Sequence, residues 1–183
     1  MRYESRLREK SKEIIILEPI DKSFFNTPEY KYWVKDLEVN EYSSLCRFPV
    51  TEKETRDIME QIENRKSIYW NIYHKENDDA YTWLVGVISL LEIDLFNRSA
   101  ELALKIGEKP YWKRNIGFMA CRQIINHGFT RLNLHRIYLG TVSENKGMIA
   151  LADKLGMFHE GTFKDAFHSN GRFYNVERYA IIY

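Results

Sequence analysis

Cysteine is nearly missing from this 183-residue chain, which has only Cys46 and Cys121. Two thiols so far apart in sequence build neither a disulfide framework nor a four-cysteine zinc site, and a reducing, cytoplasmic setting is the expectation. Proline is scarce at four residues and glycine modest at nine, which excludes collagen-like and Pro/Gly low-complexity chains. No apolar run approaches the ~20 residues that span a bilayer. The opening MRYESRLREKSKE sets charges where a secretion signal needs its apolar stretch, so no membrane partner is expected. Charge of one sign is lacking as well: 27 Lys and Arg face 26 Asp and Glu, a net +1, which gives no whole-chain sign of nucleic-acid binding. The five histidines show neither HExxH nor paired spacing, so no metal is expected.

What is present is ordinary globular material, 44% hydrophobic and 14% aromatic, enough to bury a core in one domain over residues 1–183. Residues 1–12 are a candidate flexible segment. EIIIL at 13–17 reads as a short strand, and the aromatic-rich stretch FFNTPEYKYWVKDLEVNEY as mixed helix and loop. Thr51 with Glu54 forms a capping box ahead of Ile58, Met59 and Ile62 at helical spacing, which predicts a helix over 51–65. IYWNIYHK and WLVGVISLL read as strands joined by the polar turn ENDD. In residues 98–106, Leu102, Leu104 and Ile106 alternate with Glu101, Ala103 and Lys105, one apolar face against one that can present chemistry. A helix over 117–129, a strand LHRIYLGTV, a short helix ended by Gly156 and a hairpin turning at Asn170-Gly171 complete the chain. That order implies an α/β (α+β) domain with a mixed sheet, parallel where the 117–129 helix crosses over.

Charge is uneven along the chain. Between Lys105 and Arg136, seven basic residues stand against Glu108 alone. Within this stretch, Lys113, Arg114, Asn115, Ile116 and Gly117 sit where a strand hands over to a helix. Free backbone N–H groups and the positive helix end point the same way there, and Asn and Gly readily adopt the positive φ that turns amides towards a pyrophosphate.

On these residues, ELALKIGEKPYWKRNIGFMA and then LNLHRIYLGTVSENKGMIALADKLGMFHEG, the chain resembles the GNAT superfamily of acetyl-CoA-dependent N-acetyltransferases, in its RimJ/RimL-like branch. The family loop Q/R-x-x-G-x-G/A falls on Trp112 to Gly117, with Asn115 for the first glycine. The resemblance implies a GNAT-type, mostly antiparallel sheet flanked by helices with a C-terminal hairpin, and acetyl-CoA in a V-shaped opening between two strands. Backbone of Leu104, Lys105 and Ile106 would pair with the pantetheine arm, and amides of Lys113, Arg114, Asn115, Ile116, Gly117 and Phe118 would hold the pyrophosphate. Asn145 falls where the family places an asparagine against the cofactor or acceptor, and reads equally as a helix N-cap. The tyrosine and serine that many relatives carry are here Ala152 and Met148, neither a proton donor. Glu101, at the family position often assigned as general base, is the catalytic candidate; its alternative is a strand carboxylate. Tyr32, Trp33, His168 and Tyr174 are acceptor-wall candidates by resemblance, and packing residues otherwise.

The expected reaction is direct attack of a primary amine on acetyl-CoA, with backbone N–H groups stabilising the oxyanion. The acceptor is a protein N-terminal amine by resemblance to the branch, or else an amino-sugar nucleotide, a polyamine or an antibiotic. A non-catalytic acyl-CoA-binding module is the alternative of another class. Neither oligomeric state nor pathway is legible.

Overall fold

The computed structural model describes residues 3–6, 13–44, 47, 50–76 and 81–183. They form strands β1 (Tyr3–Arg6), β2 (Glu13–Pro19), β3 (Ile68–Glu76), β4 (Trp83–Asp94), β5 (Ser99–Ile106), β6 (Arg136–Val142), β7 (Phe158–Ser169) and β8 (Arg172–Ile182). The helices are α1 (Pro28–Trp33), α2 (Glu52–Glu63), α3 (Ile116–Arg131) and α4 (Lys146–Lys154). The strands make one sheet in the order β1-β2-β3-β4-β5-β6-β8-β7. Among the described pairs, β5–β6 alone is parallel, because α3 carries the chain back across the sheet between them.

Period-two alternation divides the sheet into two faces. Leu17, Ile72, Ile88, Leu102, Ile137 and Leu139 pack in one core with Ile116, Ala120, Cys121 and Ile124 of α3 and Ala152 of α4. On the opposite face Ile20, Phe24, Phe25, Trp33 and Leu84 form a second core, over which Ile58, Met59 and Ile62 of α2 pack. The Thr51–Glu54 capping box is formed at the start of α2, so the predicted helix begins where its cap places it. Asn170 (φ 50) and Gly171 (φ 74) both take the left-handed conformation that a type I′ hairpin turn requires.

One element departs from expectation. Residues 3–6, read from the sequence as part of a flexible segment, pair with β2 from Tyr3↔Leu17 to Arg6↔Ile14. Four residues among charges carry no period that would mark a strand. The expected ENDD turn falls, from residue 77, outside the described residues, as does Cys46.

The parallel joint positions the site. Register pairing between β5 and β6 runs from Ser99↔Arg136 to Glu101↔Tyr138 and ends there, while β5 continues to Ile106 and β6 to Val142. Beyond Glu101 the two strands part, and the sheet is open between them.

Candidate active site

Each wall of this opening offers different groups. Along β5, the edge from Leu102 to Ile106 that faces β6 has no register partner among the described residues, which leaves main-chain donors and acceptors for an extended ligand to pair with. The carbonyl of Ile106 accepts the Trp112 indole N–H at 2.8 Å, which fixes the start of the loop that follows. In that loop Lys113 (φ 62) and Asn115 (φ 61) both lie in the left-handed region. Asn115 begins α3 without a side-chain cap; the first amide to find a helical partner is that of Met119, 3.0 Å from the Asn115 carbonyl. The amides of Ile116, Gly117 and Phe118 therefore form the uncapped, positive end of the helix, suited to a pyrophosphate. Gly117 packs close to β5: a Cβ there would lie 2.9 Å from Leu104 Cδ2, so a side chain at this position would have to displace the end of Leu104.

Cations gather at the same end. Lys154 Nζ donates to Asn115 Oδ1 at 2.7 Å and sits 4.5 Å above the Phe118 ring, with Arg122 at 5.8 Å from that ring. Arg114 lies 5.1 Å from the Tyr111 ring. Lys154 was absent from the sequence reading, because helical spacing within α4 says nothing of its distance to a loop 39 residues earlier. The basic stretch is only partly aimed at this site. Lys109 is held by Asp36 and Glu38, each at 2.9 Å, Arg136 is paired with Glu160, and Lys105 Nζ donates to Asn40 Oδ1 at 2.6 Å on the other face. From Lys105, only the backbone lies along the opening.

Glu101 stands where β5 and β6 part, on the face towards α1 and α2. Burial pushes its carboxyl above the ordinary range; Arg178 and the Gly140 N–H pull it down, and Glu92 pushes it up. Arg178 Nη1 is 3.7 Å from Glu101 Oε1, and its guanidinium lies 4.2 Å from the Tyr138 ring. The Tyr138 hydroxyl donates to Glu92 Oε2 at 3.0 Å. Alternation put Glu101 on the polar strand face and the family resemblance made it the catalytic candidate, but neither pointed to Glu92, Tyr138, Gly140 or Arg178. The same alternation in IYLG sets Tyr138 and Gly140 opposite the buried Ile137 and Leu139, yet only strand register puts them beside Glu101. From Glu92 an open cleft of about 710 Å³ extends along Leu91, Ile93, Asp94, Tyr69 and Phe96.

The remaining candidates scatter. Tyr32 is 58% exposed and lies beside Gly107 and Pro110. Trp33 is 1% exposed, donates its indole N–H to Glu108 Oε1 at 2.8 Å and packs on Gly107, where a Cβ would come within 2.1 Å. It buttresses the loop after β5 rather than facing an acceptor, because burial took the ring that the sequence offered to the pocket. Asn145 caps α4, its Oδ1 accepting from the Met148 N–H at 3.1 Å, and its carboxamide NH₂ is not used by the cap. His168 is exposed beside Phe173, 4.8 Å between rings, and its carbonyl accepts from Arg47 at 2.6 Å. Tyr174, half-buried on β8, neighbours Tyr42 of the segment between α1 and α2. Ala152 is wholly buried. The thiol of Cys121, buried in the core, is pushed up to about 12 and is no nucleophile at neutral pH.

Comparison with known proteins agrees with this geometry. A spermidine N(1)-acetyltransferase of Vibrio cholerae is 37% identical over 109 residues, 57% of this chain and 60% of the relative. A putative ribosomal N-acetyltransferase, YdaF of Bacillus subtilis, is 30% identical over 54% of each chain. The chain thus spans little more than half the length of these two curated relatives. Among solved structures, spermidine N-acetyltransferase from Vibrio cholerae in complex with CoA and spermine superposes with a TM-score of 0.79 at 22% identity, covering 92% of this chain and 95% of the other. RimL, a ribosomal L7/L12 α-N-protein acetyltransferase in complex with CoA, does so at 0.78 and 18% identity, covering 92% and 93%. The acetyltransferase (GNAT) domain model matches residues 15–158, and the chain belongs to the GNAT acetyltransferase family.

Proposed function

We propose that this protein transfers the acetyl group of acetyl-CoA to a primary amine of a small polycation such as spermidine. The observation that carries the reading is the pair of carboxylates, Glu101 and Glu92, on either side of Tyr138 where β5 and β6 part. The cleft that leaves Glu92 has apolar walls, Leu91 and Ile93, and a further carboxylate, Asp94, which also accepts from the Phe96 and Asn97 N–H groups of its own turn; Lys66 lines it as well. Acidic groups spaced along an apolar wall suit ammonium groups spaced along methylenes. The spermidine acetyltransferases among the relatives point the same way.

Acetyl-CoA supplies the activated carbonyl and a thiolate leaving group. The residues present fit it: a β5 edge without a register partner on the β6 side among the described residues for the pantetheine arm, the amides at 116–118 for the pyrophosphate, and Lys113, Arg114 and Lys154 for outer phosphates. An amine with a pKa of roughly 10 is protonated at neutral pH and cannot attack. Glu101 takes that proton; its raised pKa makes it a better acceptor than an exposed glutamate. With Ala152 and Met148 apolar, protonation of the departing thiolate, ordinary pKa about 8.5, falls to water.

The test is free-thiol release from acetyl-CoA with spermidine, spermine, N-terminal peptides, an amino-sugar nucleotide and an aminoglycoside side by side. Spermidine or spermine is expected to give the highest kcat/KM. Release with peptides alone would shift the acceptor to the protein N-terminal amines first suggested by the branch resemblance, and release with none would leave an acyl-CoA-binding module.

A further inference from the structure

We propose that Arg178 is a positioning residue: reaching across the bare backbone of Gly140, its guanidinium orients the Glu101 carboxylate and is itself held on the face of Tyr138, whose hydroxyl is tied to Glu92. The proposal rests on Glu101 being the base.

The strands build the arrangement. Arg178 of β8 lies opposite Gly140 of β6, and Glu101 of β5 lies opposite Tyr138, two residues earlier on β6. The guanidinium can cross β6 only where β6 has no side chain. A Cβ on residue 140 would stand 3.4 Å from Arg178 Nη1 and 3.9 Å from Glu101 Oε1, so anything larger than a methyl wedges into the gap between them. The other end of Arg178 is also fixed. Its Cζ lies 4.2 Å from the Tyr138 ring centre, a cation–π contact, and the ring is tethered through its hydroxyl to Glu92 at 3.0 Å. Glu92 reaches the hydroxyl from an irregular stretch of β4, between Leu91 and Asp94, where it takes φ +49; bulges of this kind re-aim a side chain. Arg136, 5.5 Å from the same ring, cannot substitute for Arg178, because it is already paired with Glu160.

Distance decides the role. A bidentate clamp near 2.8 Å would occupy the lone pairs that must accept the amine proton. At 3.7 Å the guanidinium orients the carboxylate and stabilises its charged form while leaving those lone pairs open. The groups known to act on Glu101 are then Arg178 and the Gly140 N–H in favour of the carboxylate, with Glu92 and burial against it. Both Arg178 and Glu101 are about a third exposed, so solvent screening weakens the pull of Arg178 on the carboxyl without abolishing it.

The experiment follows the ¹³C-carboxyl titration of Glu101 in the full-length, glutamate-labelled protein, its resonance identified by its loss in Glu101→Gln. In Arg178→Gln the midpoint should rise, and Arg178→Lys should return most of that shift. The acidic limb of kcat/KM should move up in step, so that activity lost at pH 6 is largely recovered at pH 8.5; a merely structural arginine would cost activity equally at both. Gly140→Val carries the same test if Arg178→Gln does not fold, since its side chain enters the gap between the two groups. An unchanged midpoint in a folded variant overturns the proposal. Full kcat in Glu101→Gln would instead overturn the base assignment on which it rests, and the two failures are read separately because the titration needs no acceptor.

Discussion

Glu101 takes its properties from what surrounds it rather than from its type. Burial raises its pKa above the ordinary glutamate value, so the base role proposed for it predicts that activity falls as the pH drops through that raised midpoint, at a higher pH than for an exposed glutamate. Glu101→Gln is expected to lower kcat by about 10²- to 10⁴-fold with the Kd for acetyl-CoA little changed, measured by steady-state kinetics and calorimetry. Cys121 gives the complementary prediction. Its thiol is pushed up to about 12 by complete burial, so Cys121→Ala should keep kcat, and acid quench during turnover should trap no acetyl group on the protein. Trapped acetyl-enzyme would rule out direct attack. At this scale the sequence revealed parity and little else: alternation put Glu101 on a polar strand face, whereas Arg178, 77 residues later, became its neighbour only through the β6–β8 register.

Elements explain where the loops go. The helix over 52–63 was legible because its cap and its apolar stripe agree, and the hairpin because Asn170-Gly171 allows little else. The stretch from Trp33 to α2 was not, since the contacts that tie it to the rest of the fold are distant: Trp33 to Glu108, Asp36 and Glu38 to Lys109, and Asn40 to Lys105. These ties fasten the segment to the end of β5 that leads into the loop before α3. Two glycines test the fastening. Gly107→Ala would put a methyl 2.1 Å from the Trp33 ring and should cost about 1–3 kcal/mol, read by denaturant unfolding. Gly117→Val would push the end of Leu104 away from a 2.9 Å approach and set a branched side chain beside the amides at the start of α3, and should weaken acetyl-CoA binding by about tenfold. Binding at wild-type affinity would show that the amides of α3 do not hold the ligand.

Across the whole molecule, the near-neutral charge of +1 conceals a division of labour. Of the basic residues between 105 and 136, Lys109 and Arg136 are paired with carboxylates and Lys105 with Asn40, while Lys113, Arg114 and Arg122 stay at the α3 end and Lys154 joins them from α4. The paired group makes a pH prediction. The Lys109 hydrogen bond and the amides of Glu38 and Val39 hold Asp36 below its ordinary value of 3.8. A lowered carboxyl pKa stabilises the fold above the unfolded value, and that contribution is lost as the pH falls through the folded one. The gap in Tm between the native protein and Asp36→Asn should therefore narrow as the pH drops below about 4, in thermal scans. A gap constant with pH would place the stabilisation elsewhere.

The parallel joint carries a mechanical consequence. Five strands lie on one side of it and three on the other, and among the described residues the register pairs that stitch the two plates lie at one corner, Ser99–Glu101 to Arg136–Tyr138. A ligand sliding between β5 and β6 acts as a wedge, and the stitch bears the load. Backbone amides at this corner should exchange with solvent faster than those deep in either plate, and should slow most when acetyl-CoA bridges the plates. The width of the opening, and with it the distance from Glu101 to whatever lies between the strands, is then set by how far one corner of the sheet can open.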